Sequence, residues 1–101
     1  MEKKKPNYAL SDVLAIVAAS GVDAFTQTAL HGAWDLGLSS DQAVAVVLAL
    51  RQTNFYKSMT THADHRIWQD VYHAELKSGF KAYIKLTLRE NGSVVIQFKE
   101  K

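Results

Sequence analysis

The spacing of apolar residues changes character once along the chain, close to residue 54. Before it, apolar positions recur every three or four residues, as on a helix face; after it they alternate, as on a strand. Ser11 is placed to cap a first helix whose apolar stripe is Val13, Leu14, Ile16 and Val17, and Gly21 ends it. Val22 to Gln27 reads as a short strand. Thr28 then caps a second short helix through Leu30, Ala33 and Trp34, with Trp34 in the core and Gly37 closing in the left-handed region. Ser39-Ser40-Asp41-Gln42 is a capping box: the serine oxygen accepts from the third helical amide and the glutamine reaches back. Asp41 also suits the positive end of the helix dipole. The helix that follows, Ala43 to Arg51, is apolar nearly all round. It is expected to be the most buried element, lying across one face of a sheet.

Phe55 to Thr61 and Ile67 to Tyr72 are aromatic and β-branched runs either side of a polar loop, the pattern of a hairpin. A loop of His62, Ala63 and Asp64 pairs Thr61 with His65 and Lys57 with Gln69. One face then holds Phe55, Lys57, Met59, Ile67, Gln69 and Val71. The other holds Tyr56, Ser58, Trp68, Asp70 and Tyr72. Both faces are mixed, so alternation does not choose the buried one.

The last hairpin is better determined. Tyr83 to Arg89 alternates strictly, with Ile84, Leu86 and Leu88 on one face, and Val94, Ile96 and Phe98 share a face of the following strand. A two-residue Asn91-Gly92 turn would pair Leu88 with Val95 and set Ile84, Leu86 and Leu88 beside Gln97 and Lys99. A three-residue loop, Glu90-Asn91-Gly92 with Gly92 left-handed, pairs Leu88 with Val94, Leu86 with Ile96 and Ile84 with Phe98. Burial selects the second register, because a one-residue slip turns every side chain over. Lys85 then faces Gln97 and Tyr83 faces Lys99, on a side extended by Thr87 and Arg89. The expected architecture is α+β: one domain over residues 1–101, with helices packed on one face of a mainly antiparallel sheet.

Composition narrows the function classes. A chain of 101 residues that is 48% hydrophobic can bury a modest core, and it contains no cysteine. Disulfides, thiolate metal sites and cysteine nucleophiles are thereby removed, in keeping with a cytoplasmic protein. The basic start Lys3-Lys4-Lys5 and the apolar run Val13 to Ala19 imitate a secretion signal, but Ser11 and Asp12 interrupt it and a helix explains it better. No stretch is long enough to span a bilayer, so no membrane partner is expected. Charge is uneven: between Lys5 and Arg51 there are four aspartates and no lysine or arginine, whereas the remainder is basic. A basic, aromatic open sheet face is suited to RNA.

Phe55-Tyr56-Lys57-Ser58-Met59-Thr60-Thr61, Asp64-His65, Ile67-Trp68-Gln69-Asp70-Val71-Tyr72 and the ending Phe98-Lys99-Glu100-Lys101 carry a resemblance. They resemble the motility quorum-sensing regulator toxins (MqsR), bacterial toxin–antitoxin ribonucleases with a fold like that of RelE-type toxins. The similarity runs the whole length, including Met1-Glu2-Lys3, Ala29-Leu30 and Leu36-Gly37-Leu38, with one extra residue around Phe80-Lys81. It implies a ribosome-independent endoribonuclease that cuts messenger RNA at short sequences, typically GCU, and so arrests growth. It also implies neutralisation by a zinc-binding, DNA-binding antitoxin. The family's catalytic lysine, glutamine and tyrosine fall on Lys57, Gln69 and Tyr83, and its supporting C-terminal lysine on Lys99.

RNA cleavage without a metal requires a base for the 2′-hydroxyl, cations for the phosphorane and an acid for the leaving 5′-oxygen. Lys57 with Lys85 or Lys99 supplies charge, and mutual repulsion should lower one lysine's pKa. Tyr83 is a candidate acid or base, and Gln69 orients the ribose or a phosphate oxygen. Met59, His65 and Arg89 are added as RNA contacts. His62-x-x-His65 with Asp64 lies in a loop without cysteine or a clear fourth ligand, so no metal and no cofactor is expected. His31 and His73 carry no usable signal. The competing readings are a non-catalytic RNA-binding sheet and an interaction domain docking through its apolar helix.

Overall fold

The computed structural model describes residues 1–101. Its strands are β1 (Glu2–Lys3), β2 (Phe55–Thr60), β3 (Trp68–Glu75), β4 (Lys81–Leu88) and β5 (Val94–Glu100), and its helices are α1 (Leu10–Ser20), α2 (Gln27–Asp35) and α3 (Ser40–Leu48). The strands form one sheet in the order β1-β2-β3-β4-β5, every neighbour antiparallel. All three helices lie on one side of it, as an α+β fold.

The β4–β5 hairpin has the bulged register: Leu88 pairs with Val94, Leu86 with Ile96, Ile84 with Phe98, Lys85 with Gln97 and Tyr83 with Lys99. Gly92 supplies the left-handed residue at φ 86°. Ile84, Leu86, Ile96 and Phe98 are consequently buried against the helices.

The β2–β3 hairpin is shifted by two residues from the sequence expectation. Lys57 pairs with Val71, Met59 with Gln69 and Thr60 with Trp68. The loop is longer because Thr61 closes it twice: its main-chain N–H donates to the Ile67 carbonyl, and its hydroxyl to the Asp64 carbonyl. A two-residue shift keeps every side chain on its face, so Lys57 and Gln69 still share one. A bulge between Phe55 and Lys57 adds a second correction. Phe55 pairs with Tyr72 and meets its ring edge-on at 5.5 Å on the helix side, while Tyr56 turns to the open side.

The helices differ more. α1 begins at Leu10 after Ala9, so Ser11 lies inside its first turn and caps nothing. The span Val22 to Gln27 holds a 3₁₀ turn, Gly21–Ala24, and a single parallel bridge from Phe25 to Ile96 instead of a strand. The cap of α2 is Thr26, whose hydroxyl accepts from the Ala29 amide, rather than Thr28. Gly37 is left-handed at φ 79°, and the Ser39–Gln42 capping box is complete.

α3 is not the most buried element and does not cross the sheet. It packs on α1 and α2, burying only Ala43 and Val47, with Leu48 exposed. The sheet contact belongs to α2, which presents Ala29, Gly32 and Ala33 to β5. Close approach of two backbones requires small residues, which the valines of α3 do not provide. Trp34, on the far side of α2, is half exposed with His31 edge-on at 4.9 Å, not in the core.

The N-terminal residues are not a loose tail. β1 pairs with β2, Glu2 opposite Met59 and Lys3 opposite Ser58. The chain then passes Pro6 and lies over the helix side of β2 and β3 before α1 begins.

At Gly32 a Cβ would collide with the Phe98 carbonyl oxygen, a backbone atom that cannot swing aside. Gly32→Ala should therefore cost about 1–3 kcal/mol by forcing α2 off β5, despite alanine's better helix propensity. Thermal denaturation followed by circular dichroism checks this; an unchanged or raised midpoint would refute the close contact.

Candidate active site

Every second side chain of each strand points away from the helices, and register decides which of them meet. Lys57, Val71, Lys85 and Gln97 form one row across β2 to β5. On one side of it lies a row containing Met59 paired with Gln69, and Thr87 paired with Val95. On the other side His73 pairs with Tyr83, and Tyr83 with Lys99. The β2 bulge adds Tyr56 to this last row. Adjacent strands are about 4.8 Å apart, which sets the Lys57 and Lys85 backbones about 10 Å from each other. Val71 between them is fully buried although it faces away from the helices and lies outside the main core. Its neighbours in the row are the two lysines, whose aliphatic stems suit them to cover it.

The third row is an aromatic stack with cations at both ends. Tyr56 stacks on His73 at 4.3 Å between centroids, and His73 lies 5.4 Å from Tyr83. Lys57 Nζ is 5.5 Å from the Tyr56 ring, and Lys99 Nζ is 5.3 Å from the Tyr83 ring, both within cation–π range. Between its neighbours, His73 has its Nε2 buried without a partner. That burial, followed by the Lys101 and Lys81 charges, holds its pKa below the usual imidazole value.

The lysines are not equivalent. Lys57 Nζ donates to Glu2 Oε2 at 2.7 Å, with the lysine side chain mostly covered and the glutamate largely exposed. This bond raises the Lys57 pKa and lowers that of Glu2, so both are ionised. Lys85 moves the opposite way: burial pushes its pKa down, and Lys99 adds to the effect. The expected depressed lysine is thus Lys85, with burial ahead of repulsion as the cause.

Behind the face, Asp70 fixes the frame. Its carboxylate is 1% exposed and accepts from the Asn7 N–H at 2.9 and 3.0 Å, the Tyr8 N–H at 2.9 Å and the Ser58 hydroxyl at 2.6 Å. Three donors satisfy a buried charge that would otherwise be very costly. Tyr8 also donates its hydroxyl to the Trp68 carbonyl, and the Met1 ammonium donates to Thr60 Oγ1. These bonds tie residues 1–8 to the sheet, and through them Glu2 to Lys57.

Beside the Gln69 row a groove of about 800 Å³ opens, lined among others by Asn7, Arg66, Gln69, Thr87, Arg89 and Gln97. Gln69 is mostly buried at its wall. Of the residues singled out from sequence, Lys57, Met59, Gln69, Tyr83, Lys85 and Lys99 share the open face, and Arg89 stands at the groove. His65 does not join them: it is exposed in the loop, outside the groove lining, beside an Asp64–Arg66 ion pair of 3.1 Å. No group of three or more His, Asp or Glu side chains there or elsewhere could hold a metal ion.

Sequence reasoning missed Glu2, Tyr56 and His73. Alternation pointed Tyr56 to the wrong side, and only the bulge corrects it. His73 could have been found by counting along β3 from Gln69, since both have odd positions on one face. Nothing local marks Glu2, whose partner is 55 residues away.

The model of the family described as "Motility quorum-sensing regulator, toxin of MqsA" matches residues 5–100. The chain belongs to this family. It is also 44% identical over 101 residues to the mRNA interferase toxin MqsR of Escherichia coli K12, an alignment covering the whole of both chains. The family match and the open face thus concern the same strands, since β2 to β5 all lie within the matched residues.

Asp70→Asn turns an amide NH₂ toward main-chain donors and should cost about 2–3 kcal/mol, measurable by urea denaturation at neutral pH. For His73 the folded pKa lies below the unfolded one, so the folded state binds fewer protons. Its contribution is complete above the ordinary imidazole value of about 6.5 and is lost as pH falls through the lower folded value. His73→Phe should flatten the acid side of the stability–pH curve; an unchanged slope would place the titration elsewhere.

Proposed function

We propose that this chain is the toxin of a type II toxin–antitoxin system, a ribosome-independent endoribonuclease that cuts messenger RNA on the open face of its sheet. The observation that carries the reading is the Lys57–Lys85 row flanked by Tyr83 and Lys99. It gathers three cations and a phenol where a phosphodiester can lie flat against an exposed surface. The name of the E. coli relative supports the same substrate. The chain acts as a single interferase domain with a RelE-like fold, needs no cofactor, works in the cytoplasm and recognises short GCU-like sequences. The family's description as the toxin of MqsA supports an antitoxin partner, and that partner is a zinc-binding, DNA-binding protein.

The chemistry follows from the charge states. Lys57, kept protonated by Glu2 in the free protein and by the phosphate once RNA binds, serves as a positive charge for the equatorial oxygens of the phosphorane, which carry more charge than the ground-state phosphate. Lys99 and Lys85 neutralise the same centre from the other side. Lys85, with its lowered pKa, gives up a proton more readily than an ordinary lysine. Tyr83, its ring beside the Lys99 ammonium, donates to the leaving 5′-oxygen. Gln69 holds the ribose or a phosphate oxygen at the edge of the groove, which receives a neighbouring base. Met59, Arg89 and His65 contact RNA further out, His65 only by way of its loop.

Attack by the 2′-oxygen on the adjacent phosphorus leaves a 2′,3′-cyclic phosphate and a 5′-hydroxyl. Messenger RNA incubated with the protein in excess EDTA should be cut with these ends, and Lys57→Ala should reduce the rate by about 10²–10³-fold while remaining folded. Products ending in a 3′-hydroxyl would refute the mechanism. Retention of RNA without cutting would make the face a binding platform only.

A further inference from the structure

Protonated Lys57 cannot accept the 2′-hydroxyl proton, and Lys85, placed as a cation on the phosphate, is held protonated by that negative charge, so the face needs another base. Glu75 and Glu100 lie near the ends of their strands, and Asp64 and Glu90 lie in loops at the opposite end of the sheet. His73 has its ring between two others and its Nε2 buried. One carboxylate reaches the central row: Glu2, carried there by β1 and exposed to solvent at the Lys57 ammonium. We propose that Glu2 is the general base of the reaction, taking the 2′-hydroxyl proton after the substrate phosphate has displaced it from Lys57. The proposal rests on the ribonuclease reading above.

The displacement is an exchange of anions at one cation. In the free protein the Glu2 carboxylate occupies the place on Lys57 that a phosphate oxygen would take. When RNA binds, Lys57 turns to the phosphate, and the released carboxylate is left beside a second negative charge. Like charge favours the protonated form, so substrate binding makes Glu2 a stronger base at the moment it is needed. The groups that act on Glu2 are Lys57, Lys4 and the Met1 ammonium, and only the first is diverted by substrate. The proton balance closes: the 2′-hydroxyl proton moves to Glu2, the 2′-oxygen forms its bond to phosphorus, and the bond to the 5′-oxygen breaks. That oxygen takes a proton from Tyr83, and water restores both side chains.

The test uses the full chain beginning at Met1 and an oligonucleotide with one cleavable step. Glu2→Gln keeps the shape and the hydrogen bond to Lys57 but cannot accept a proton. Its kcat should fall about 10²–10⁴-fold, with KM unchanged or lower because a competing anion is gone, and with the acid limb of the kcat–pH profile lost. Glu2→Asp should recover part of kcat and restore that limb. Binding of the same oligonucleotide with a 2′-deoxy at the cleaved step, together with the melting temperature, shows whether β1 remains docked. A kcat within about threefold of wild type, or a fall carried by KM with the acid limb intact, would overturn the assignment and leave Glu2 a counter-ion. If the wild-type chain itself cuts no RNA, the ribonuclease reading fails first and the base assignment with it.

Discussion

A carboxylate with almost no exposure, Asp70, is the constraint on which the geometry of this protein turns. Its oxygens are filled by two consecutive main-chain amides of the N-terminal segment and by Ser58 of the neighbouring strand. Pulling the N-terminal segment away would remove two of the three donors from a buried charge, so the segment is pinned where it lies. Everything on the far side of the sheet inherits that placement. Asp70 faces the helices while Gln69 and Val71, its sequence neighbours, face outward, so a single strand anchors the fold on one face and the row of polar groups on the other.

The open face is a case of a sheet using its pleat for two unrelated purposes. Hydrophobic alternation on β4 and β5 was chosen by burial on the helix side, and the phenol and lysines were carried to the other side by the same register. This is why the last hairpin was legible in sequence: a slip by one residue would have set Ile84 and Leu86 beside Gln97 and Lys99, leaving the apolar residues of the two strands on opposite faces. The β2–β3 pairing was only half legible. Its faces are mixed, so no hydrophobic penalty distinguished a three-residue loop from the longer one that the Thr61 hydroxyl closes. The bulge that exchanges Phe55 and Tyr56 could not be seen, because two adjacent aromatics satisfy either face.

The helices were misjudged for a related reason. Valine-rich α3 looked like the core element, yet hydrophobicity says how much surface an element would bury, not how closely its backbone can approach another. Gly32 settles that question for α2, which reaches β5 where α3 would be held away. The N-terminal residues show the limit of local reading most clearly. Three successive lysines resemble a solvated tail, and the pairing of Glu2 with Lys57 depends on contacts formed across half the chain.

This N-terminal pairing has a kinetic side. β2 to β5 form a meander in which each strand meets the next one in sequence, whereas β1 has only two residues, lies at the sheet edge and stands outside the Asp70 anchor at Asn7 and Tyr8. Terminal segments with few contacts lie at the low end of a domain's local opening free energies. The first strand should therefore dock last during folding and lift off first on warming, by a local opening that leaves the rest of the sheet intact. Amide exchange at Thr60, whose N–H is held by the Met1 carbonyl, would then run ahead of exchange within β3 and β4. The protein would pass through a state that is folded in every strand but its first, with Lys57 freed from its carboxylate.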